Sequence, residues 1–433
     1  MSKPTSKTQG SSRKFAKSVI EIWLWGGPSQ LETFDPKPDA PHDYNNGLKS
    51  IKTNTGIEIH EWLPELAKCA DLYSIVRSLT HPFPGHETAT YLMQTGRNPG
   101  GGVTFPALGA LISSSRVKSK DPKRGNSVQI ADLAYEGDLP PFVILTHAKG
   151  RFSEVGFLGE EYAPLVTGGS AAAQRFEVDG LVPPGGLTKE AIQERFARAG
   201  RLDRLPPDDE FEAAGAAARQ IILGRAAETF DLTLEKPEVR KRYGMTQGGG
   251  YTEIGQQLLA ARRLVQYGVP YISINYNGWD SHKKHFETMK RPSAEMDMAV
   301  SALLRDLKET KDADGNPLLD STIVWLSGEF GRVPKVDRQP PWNGGRNHFP
   351  RCFSALVAGG GFKGGQVVGA SDDTTDHVKD RPVTPQDFLG SIMELAGVNP
   401  DDRLPNAKWL KEYGPVMNPA TKSQCGRLKE IYA

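Results

Sequence analysis

The stretch "NGWDSHKKHF" brings Asp280, His282 and His285 together immediately after the apolar run "VPYISINY". A carboxylate and two imidazoles at a strand end can hold a divalent cation, or can form an ordinary polar loop that opens a helix. At i and i+3, His282 and His285 would share one helix face.

Other polar clusters follow apolar runs in the same way. "SVIEIWLW" leads into "GGPSQLETFDPKP", with Ser29, Glu32 and Asp35. "LYSIVRSL" leads into "THPFPGHETATY", with His81, His86, Glu87 and Thr88, and "STIVWLS" leads into "GEFGRVPKVD", with Glu329, Arg332 and Lys335. A further cluster, "GGRNHFPRCF", stands just before a strand-like run and offers Arg346, Asn347 and His348. Mixed carboxylate and imidazole sets suit zinc, manganese or iron, and magnesium or calcium where oxygen dominates; spacing alone does not name the metal. Charges left buried without a role are costly, so their recurrence at strand ends points to shared chemistry.

The elements that would position these residues alternate between strand and helix. Ser18–Trp25, a strand near Tyr73 to Arg77, Pro140–Thr146, "VPYISINY", "STIVWLSG" and "FSALVAGGG" read as buried strands. "ATYLMQTG", "TEIGQQLLAARRLVQYG", "SAEMDMAVSALLRDLKET" and "TPQDFLGSIMELAG" read as helices. The last has Thr384 at the N-cap, Pro385 at the first helical position and Gly397 beyond its end. Repeated αβ units imply a largely parallel sheet covered on both faces, with ligands beyond the carboxyl ends of its strands. Residues of about 150–250 are rich in Ala, Arg and Glu at helical spacing and read as a helical insertion, placed as a cap. Residues 1–17 read as a disordered lead-in, and 18–433 as a single domain.

The bulk composition narrows the function. With 53 basic and 52 acidic residues the net charge is +1, which gives no support for nucleic-acid or membrane-surface binding. Three cysteines without CxxC spacing argue against a thiolate zinc site or a disulfide scaffold. No run approaches the roughly 20 apolar residues of a membrane span. The first residues lack an apolar signal core, so cytoplasm is the expected location. No GxSxG elbow is present, "GGGFKGGQ" matches no phosphate-loop pattern and reads as a turn, and Trp23 and Trp25 are expected in the core.

Six ordered motifs carry a resemblance over roughly Ser18 to Pro400: "WGGPSQLETFDPKPDAP", "SLTHPFPGHETATYLMQTGRNP", "NGWDSHKKHF", "LSGEFGRVPK", "GRNHFPRCFSALVAGGGFKGGQVVGASD" and "RPVTPQDFLGSIMELAG". Together they resemble a bacterial family, abundant in planctomycetes and known as domain of unknown function 1501. That family looks like a branch of the alkaline phosphatase and sulfatase superfamily. "TGRNP" is similar to the close of the sulfatase nucleophile helix, and "TPQDFLGSIMELAG" is similar to a late sulfatase helix. The resemblance implies an alkaline-phosphatase-like three-layer αβα sandwich, one or two divalent metals (zinc, calcium, magnesium or manganese), and hydrolysis of sulfate or phosphate esters of small molecules or polysaccharides. It puts Asp280, His282, Glu329 and His348 at metal positions, with Asp35 as a substitute for a strand-one aspartate that would fall near Trp25 or Gly26. The nucleophile position falls on His86; Thr88 or Thr80 would serve with a shifted alignment. His86 and Arg332 are then expected to face the ester anion. Asn347 stands where the family more often has Asp, a partner expected for His348. Members often begin with a twin-arginine export signal that is not found here, which leaves the periplasm open. The missing nucleophile and strand-one aspartate favour the alternative, a catalytically degenerate binding or assembly protein that keeps the fold. Dimerisation through the helical insertion fits either reading.

Overall fold

The computed structural model describes residues 14–117, 133–145, 154–168, 188–202, 226–244, 252–400 and 426–433, with Val178 and Gly224. Within them the chain is α/β. In chain order, the main strands and helices are β1 (Ser18–Leu24), β2 (Tyr73–Leu79), α1 (His86–Thr95), α2 (Leu108–Ser114), β3 (Phe142–Leu145), β4 (Leu165–Val166), α3 (Lys189–Leu202), α4 (Glu253–Tyr267), β5 (Tyr271–Tyr276), α5 (His285–Glu309), β6 (Thr322–Ser327), β7 (Gly331–Arg332), β8 (His348–Phe349), β9 (Phe353–Ala358), β10 (Val367–Val368) and α6 (Pro385–Leu395).

Eight strands form one sheet in the order β10-β2-β9-β6-β1-β5-β3-β4. Every pairing is parallel except those of β9, which runs antiparallel to both β2 and β6. Alternation along β1 sends Ile20, Ile22 and Leu24 to one core and Val19 and Trp23 to the other. The first core is closed by α4 and α5 through Leu258, Leu264, Met296 and Leu303. The second is closed by α1, α2 and α6 through Met93, Leu108, Leu111, Phe388 and Ile392. Helices on both faces make the three layers that the alternation of elements implies.

Side-chain caps start both helices α4 and α6. The Thr252 side chain caps α4 by accepting from Gly255 N, and Gly268 ends it in the left-handed conformation. Thr384 caps α6 by accepting from Asp387 N. Each such cap is worth about 1 kcal/mol. Two boundaries differ. α5 begins at His285, well before Ser293, and continues through Pro292, which forfeits one backbone hydrogen bond inside the helix. Ala16, inside the expected lead-in, is fully buried and its N–H donates to Leu395 O. Of the stretch expected as a helical insertion, the described residues contain β4, which pairs with β3 in the main sheet, α3, and the short helices Ala226–Thr229 and Pro237–Arg242. Most of the second Ala- and Arg-rich stretch lies outside the described residues.

Topology now explains the positions of the polar clusters. Strands β1, β2, β5 and β6 run in one direction, so the loops that follow them all emerge at one edge of the sheet. Because β9 is antiparallel, its amino end lies at that same edge. The cluster that precedes a strand therefore joins the four that follow one.

Candidate metal and anion site

Five loops converge at this edge, and three side chains from them meet there. His282 Nε2 lies 3.0 Å and His348 Nε2 3.2 Å from Asp280 Oδ1, and the two Nε2 atoms are 3.0 Å apart. The other ring nitrogens are committed. His348 Nδ1–H donates to Pro84 O at 2.7 Å, and His282 Nδ1–H donates to the Asn347 side-chain carbonyl at 2.9 Å. A carbonyl can only accept, so each ring in its neutral form carries its proton on Nδ1 and turns its Nε2 lone pair toward the same space. Asn347 thus orients His282, and a backbone carbonyl orients His348, which corrects the expected partner of Asn347.

His86 completes the group from the first residue of α1. Its Nδ1 lies 2.5 Å from Glu329 Oε1 and its Nε2 lies 3.5 Å from Asp280 Oδ2. The Asp280 and Glu329 carboxylates on either side push its pKa up to about 9, so it carries a proton at neutral pH. Potential ligand atoms of His86, Asp280 and His348 all lie within 4.8 Å of one another. Burial opposes the charge on Asp280, but the His86 imidazole and the Arg332 guanidinium beside it hold its carboxyl well below the usual carboxylate range. Burial pushes the His282 imidazole down, against the opposing pull of Asn347. The side chains of Asp280, His86, His282 and His348 are 21–43 % exposed, so solvent and a small ligand reach all four.

Behind this group the residues are fully buried. Glu329 accepts from Gly26 N at 3.1 Å as well as pairing with His86. Arg332 spends its guanidinium on the carbonyls of Gly26, Gly27 and Arg346 and on Asp280. It is fully buried and holds Asp280 in place, with its other donors on backbone carbonyls. Antiparallel pairing of β7 with β8 sets Arg332 opposite His348. Arg346 in turn pairs with Glu32 at 2.7 Å; Glu32 lies 2.8 Å from His285 Nε2, and His285 Nδ1 lies 2.6 Å from Ser281 Oγ. The chain of contacts therefore returns to the residue next to Asp280. Within it, burial raises the Glu32 carboxyl, but Arg346 and His285 outweigh that and draw it far below its ordinary range. His285 belongs to this support and not to the exposed group.

Gly26 is one of the two positions near which the resemblance implied a strand-one aspartate. Its φ is +111°, and a Cβ there would come within 2.8 Å of Asp280 Cα and Cβ, and closer still to its amide nitrogen. The missing side chain admits the Asp280 backbone. Asp35 does not replace it: Asp35 is buried against Lys37 (3.1 Å), Arg77 (3.5 Å) and the Ser371 hydroxyl. Nor does Thr88 present its hydroxyl, which donates to Gly85 O at 3.1 Å.

Sequence reasoning missed the aromatic surround. Trp23 is in the core as expected, but Trp25 is half-buried and its ring lies nearly parallel to His86, at 16° and 6.2 Å between centroids. Phe330 stacks on His348 at 4.4 Å, and Trp342 lies 5.9 Å from His282. Lys284 adopts a left-handed φ of 47° between His282 and α5, held by its own N–H to Trp342 O and that of His285 to Gly344 O. No pattern in the sequence announces that strain; it is the means by which His282 and His285 diverge.

Among solved structures, the chain is similar to Ps i-CgsB, with 13% identity and a TM-score of 0.40 over 94% of this chain and 76% of that one. It is also similar to the lipoteichoic acid synthase LtaP from Listeria monocytogenes (9% identity, TM-score 0.38, 92% and 77%). A third is the alkaline phosphatase from the Antarctic bacterium TAB5 (10% identity, TM-score 0.34, 90% and 100%). No curated protein sequence matches it. None of the described helices is long and apolar enough to cross a membrane. The profile of the family described as protein of unknown function DUF1501 matches residues 16–408, and the chain belongs to that family.

Proposed function

We propose that the chain is a metal-dependent hydrolase of sulfate or phosphate esters, with Asp280, His282 and His348 as the metal ligands. One observation carries the reading. Two imidazoles whose Nδ1 protons are spent on carbonyls direct their Nε2 lone pairs toward each other at 3.0 Å, beside a carboxylate oxygen. Without a cation these three acceptors repel. Ligand atoms around a tetrahedral zinc with bonds of about 2.1 Å stand roughly 3.4 Å apart, close to the 3.0–3.2 Å seen here. Two nitrogens and one oxygen favour zinc, manganese or iron over calcium or magnesium.

A divalent cation there would supply a Lewis acid for the ester oxygen and lower the pKa of water. The protein's own residues do the rest. Arg332 fixes Asp280, while Pro84 O and Asn347 fix the two ring tautomers. His86, protonated and held at Nδ1 by Glu329, steadies the ester anion and passes its Nε2 proton to the leaving oxygen. Glu329 accordingly acts through His86 and not as a metal ligand, and Asp35 has no part in the site. The reading needs no side-chain hydroxyl nucleophile, in keeping with the orientation of Thr88.

The test is elemental analysis by mass spectrometry on protein purified without an affinity metal, alongside Asp280→Ala. About one zinc, manganese or iron per chain, lost in the variant, and metal-dependent turnover of an aryl sulfate or phosphate are expected. A wild type that holds no metal and takes none up overturns the proposal. The second reading, a binding or assembly protein without turnover, is favoured by the burial of Asp35 against Lys37 and Arg77, away from the exposed group. Full metal loading with no turnover across an ester panel would select it.

A further inference from the structure

Strands β7 and β8 form a two-stranded ribbon of their own, apart from the main sheet. The ribbon carries two members of the site, Arg332 on β7 and His348 on β8, directly opposite each other. Val333 N–H donates to Asn347 O at 2.9 Å, which makes Arg332 and His348 a non-hydrogen-bonded pair of the ladder. In such a pair the main-chain N–H and C=O of each residue point away from the partner strand. Arg332 therefore turns one donor and one acceptor outward, on the side of β7 that no strand covers.

One side chain meets both. Gln30, buried in the loop after β1, accepts from Arg332 N–H through Oε1 at 3.0 Å and donates from Nε2 to Arg332 O at 2.9 Å. The primary amide reproduces the two bonds that a third strand would make. Its other N–H donates to Thr375 Oγ1 at 3.1 Å, so both amide hydrogens and the amide oxygen are committed. The neighbouring positions are shaped to this fit. At Gly331 a Cβ would collide with Gln30 Oε1. Thr375 is fully buried and holds φ at +63°, a conformation that β-branched residues rarely adopt. Asp372 fixes that turn by accepting from Thr374 N–H at 3.2 Å and from Asp376 N–H at 2.9 Å.

We infer that Gln30 is a positioning residue of the metal site, standing in for the third strand of the ribbon that sets Arg332 against Asp280 and His348 beside it. The inference rests on the metal reading of Asp280, His282 and His348, and adds what keeps two of those ligands in register. Gln30 acts through Arg332. Without its amide, the outward N–H and C=O of a fully buried residue lose their partners, which is costly enough to move the ribbon. Asp280 follows the Arg332 guanidinium, and His348 follows its partner across the ladder. Ligand distances at a metal tolerate only about 0.2 Å, so a small displacement is felt as lost affinity and altered geometry.

Cobalt(II) is the probe, because its visible absorption reports ligand geometry as well as occupancy. The full chain is stripped with chelator and reloaded. Affinity is measured by chelator competition and stability by urea unfolding. Gln30→Met keeps the length of the side chain and removes its three hydrogen bonds. Thr375→Val keeps the two bonds to Arg332 and removes the third. Ile392→Val, in the second core, gives the effect of lost stability alone. Gln30→Met should weaken cobalt binding by about tenfold or more and shift the visible bands. Thr375→Val should do the same to a smaller degree, and Ile392→Val should unfold earlier with wild-type affinity and bands. A Gln30→Met chain that unfolds more easily yet binds cobalt with wild-type affinity and spectrum assigns Gln30 to stability alone; that overturns the inference and leaves the metal reading standing. If Gln30→Met does not fold, Thr375→Val decides on the same two readouts: weaker binding with shifted bands supports the inference, and wild-type behaviour overturns it. A wild type that takes up no cobalt(II) overturns both.

Discussion

Replacing Gly26 by alanine tests the geometry at its narrowest point. Two separate costs arise there. The first is conformational: φ at +111° lies in a region that L-residues avoid, at roughly 1–2 kcal/mol. The second is steric, since the new Cβ would sit 2.8 Å from Asp280 Cα and Cβ, with backbone closing in from the amide side. Relief requires a shift of about 1 Å in the Asp280 loop, and overpacking of this kind costs about 1–3 kcal/mol. The shift is the functional part, because Asp280 Oδ1 meets His282, His348 and Arg332 together. A displacement of about 1 Å at a reacting centre can lower turnover by about 100-fold. Gly278 provides the control. It lies two residues from Asp280, has φ +101°, and has nothing within 4 Å of its would-be Cβ. Gly278→Ala therefore carries the conformational cost without the collision. Denaturant unfolding and metal content measured on both variants separate the two. Gly26→Ala should lose more stability than Gly278→Ala and should also lose metal affinity. If the two variants are equally stable and equally loaded, the account of Gly26 as the point where the Asp280 backbone needs a missing side chain is wrong.

Three other perturbations discriminate between roles. Glu329→Gln should leave metal content intact and reduce turnover by about 100-fold or more, because it removes the carboxylate that holds His86 and not a ligand; metal loss in this variant would return Glu329 to the ligand set. Asn347→Leu should weaken metal affinity by about 10- to 100-fold in a chelator competition, through loss of the His282 tautomer, and an unchanged affinity would show that the ring needs no such partner. Glu21, buried in β1 and bonded by Gln94 and Tyr271, is pushed up to about 7 by burial. The folded chain then keeps a proton that the unfolded chain releases from pH about 4.5. Stability should fall by about 3 kcal/mol as pH rises through that window to above 7. Urea unfolding at pH 5 and pH 8 should show that fall in the wild type and lack most of it in Glu21→Gln; identical pH dependence in both would refute it.

How much of this was legible in the sequence differs from element to element. Strands β5 and β6 and helices α4 and α6 were legible because their signals are local: continuous apolar runs, a threonine cap, and a glycine stop on α4. α5 was read too short because Pro292 looks like a boundary, whereas the helix loses only one hydrogen bond there and is held by packing of Met296 and Leu303. Asp280, His282, His348 and His86 were legible as candidates because each stands at the end of an apolar run.

Their division of labour was not. Asp35 and Asp280 are both acidic residues in a loop after a strand, and nothing in their neighbours along the chain distinguishes them. Asp35 is held by Lys37, Arg77 and Ser371 and is buried with them. Asp280 meets Arg332 and His348, more than fifty residues away, and stays open to solvent. Arg332 looks in the sequence like a free cation; only the return of β8 against β7 and the carbonyls of Gly26 and Gly27 bury it. The sequence by itself determined the alternation of strand and helix, the edge at which polar residues gather, and the family. The tertiary structure decided which of those residues meet, because ligand geometry depends on strand register and loop closure across hundreds of residues, and these are contacts that no local pattern encodes.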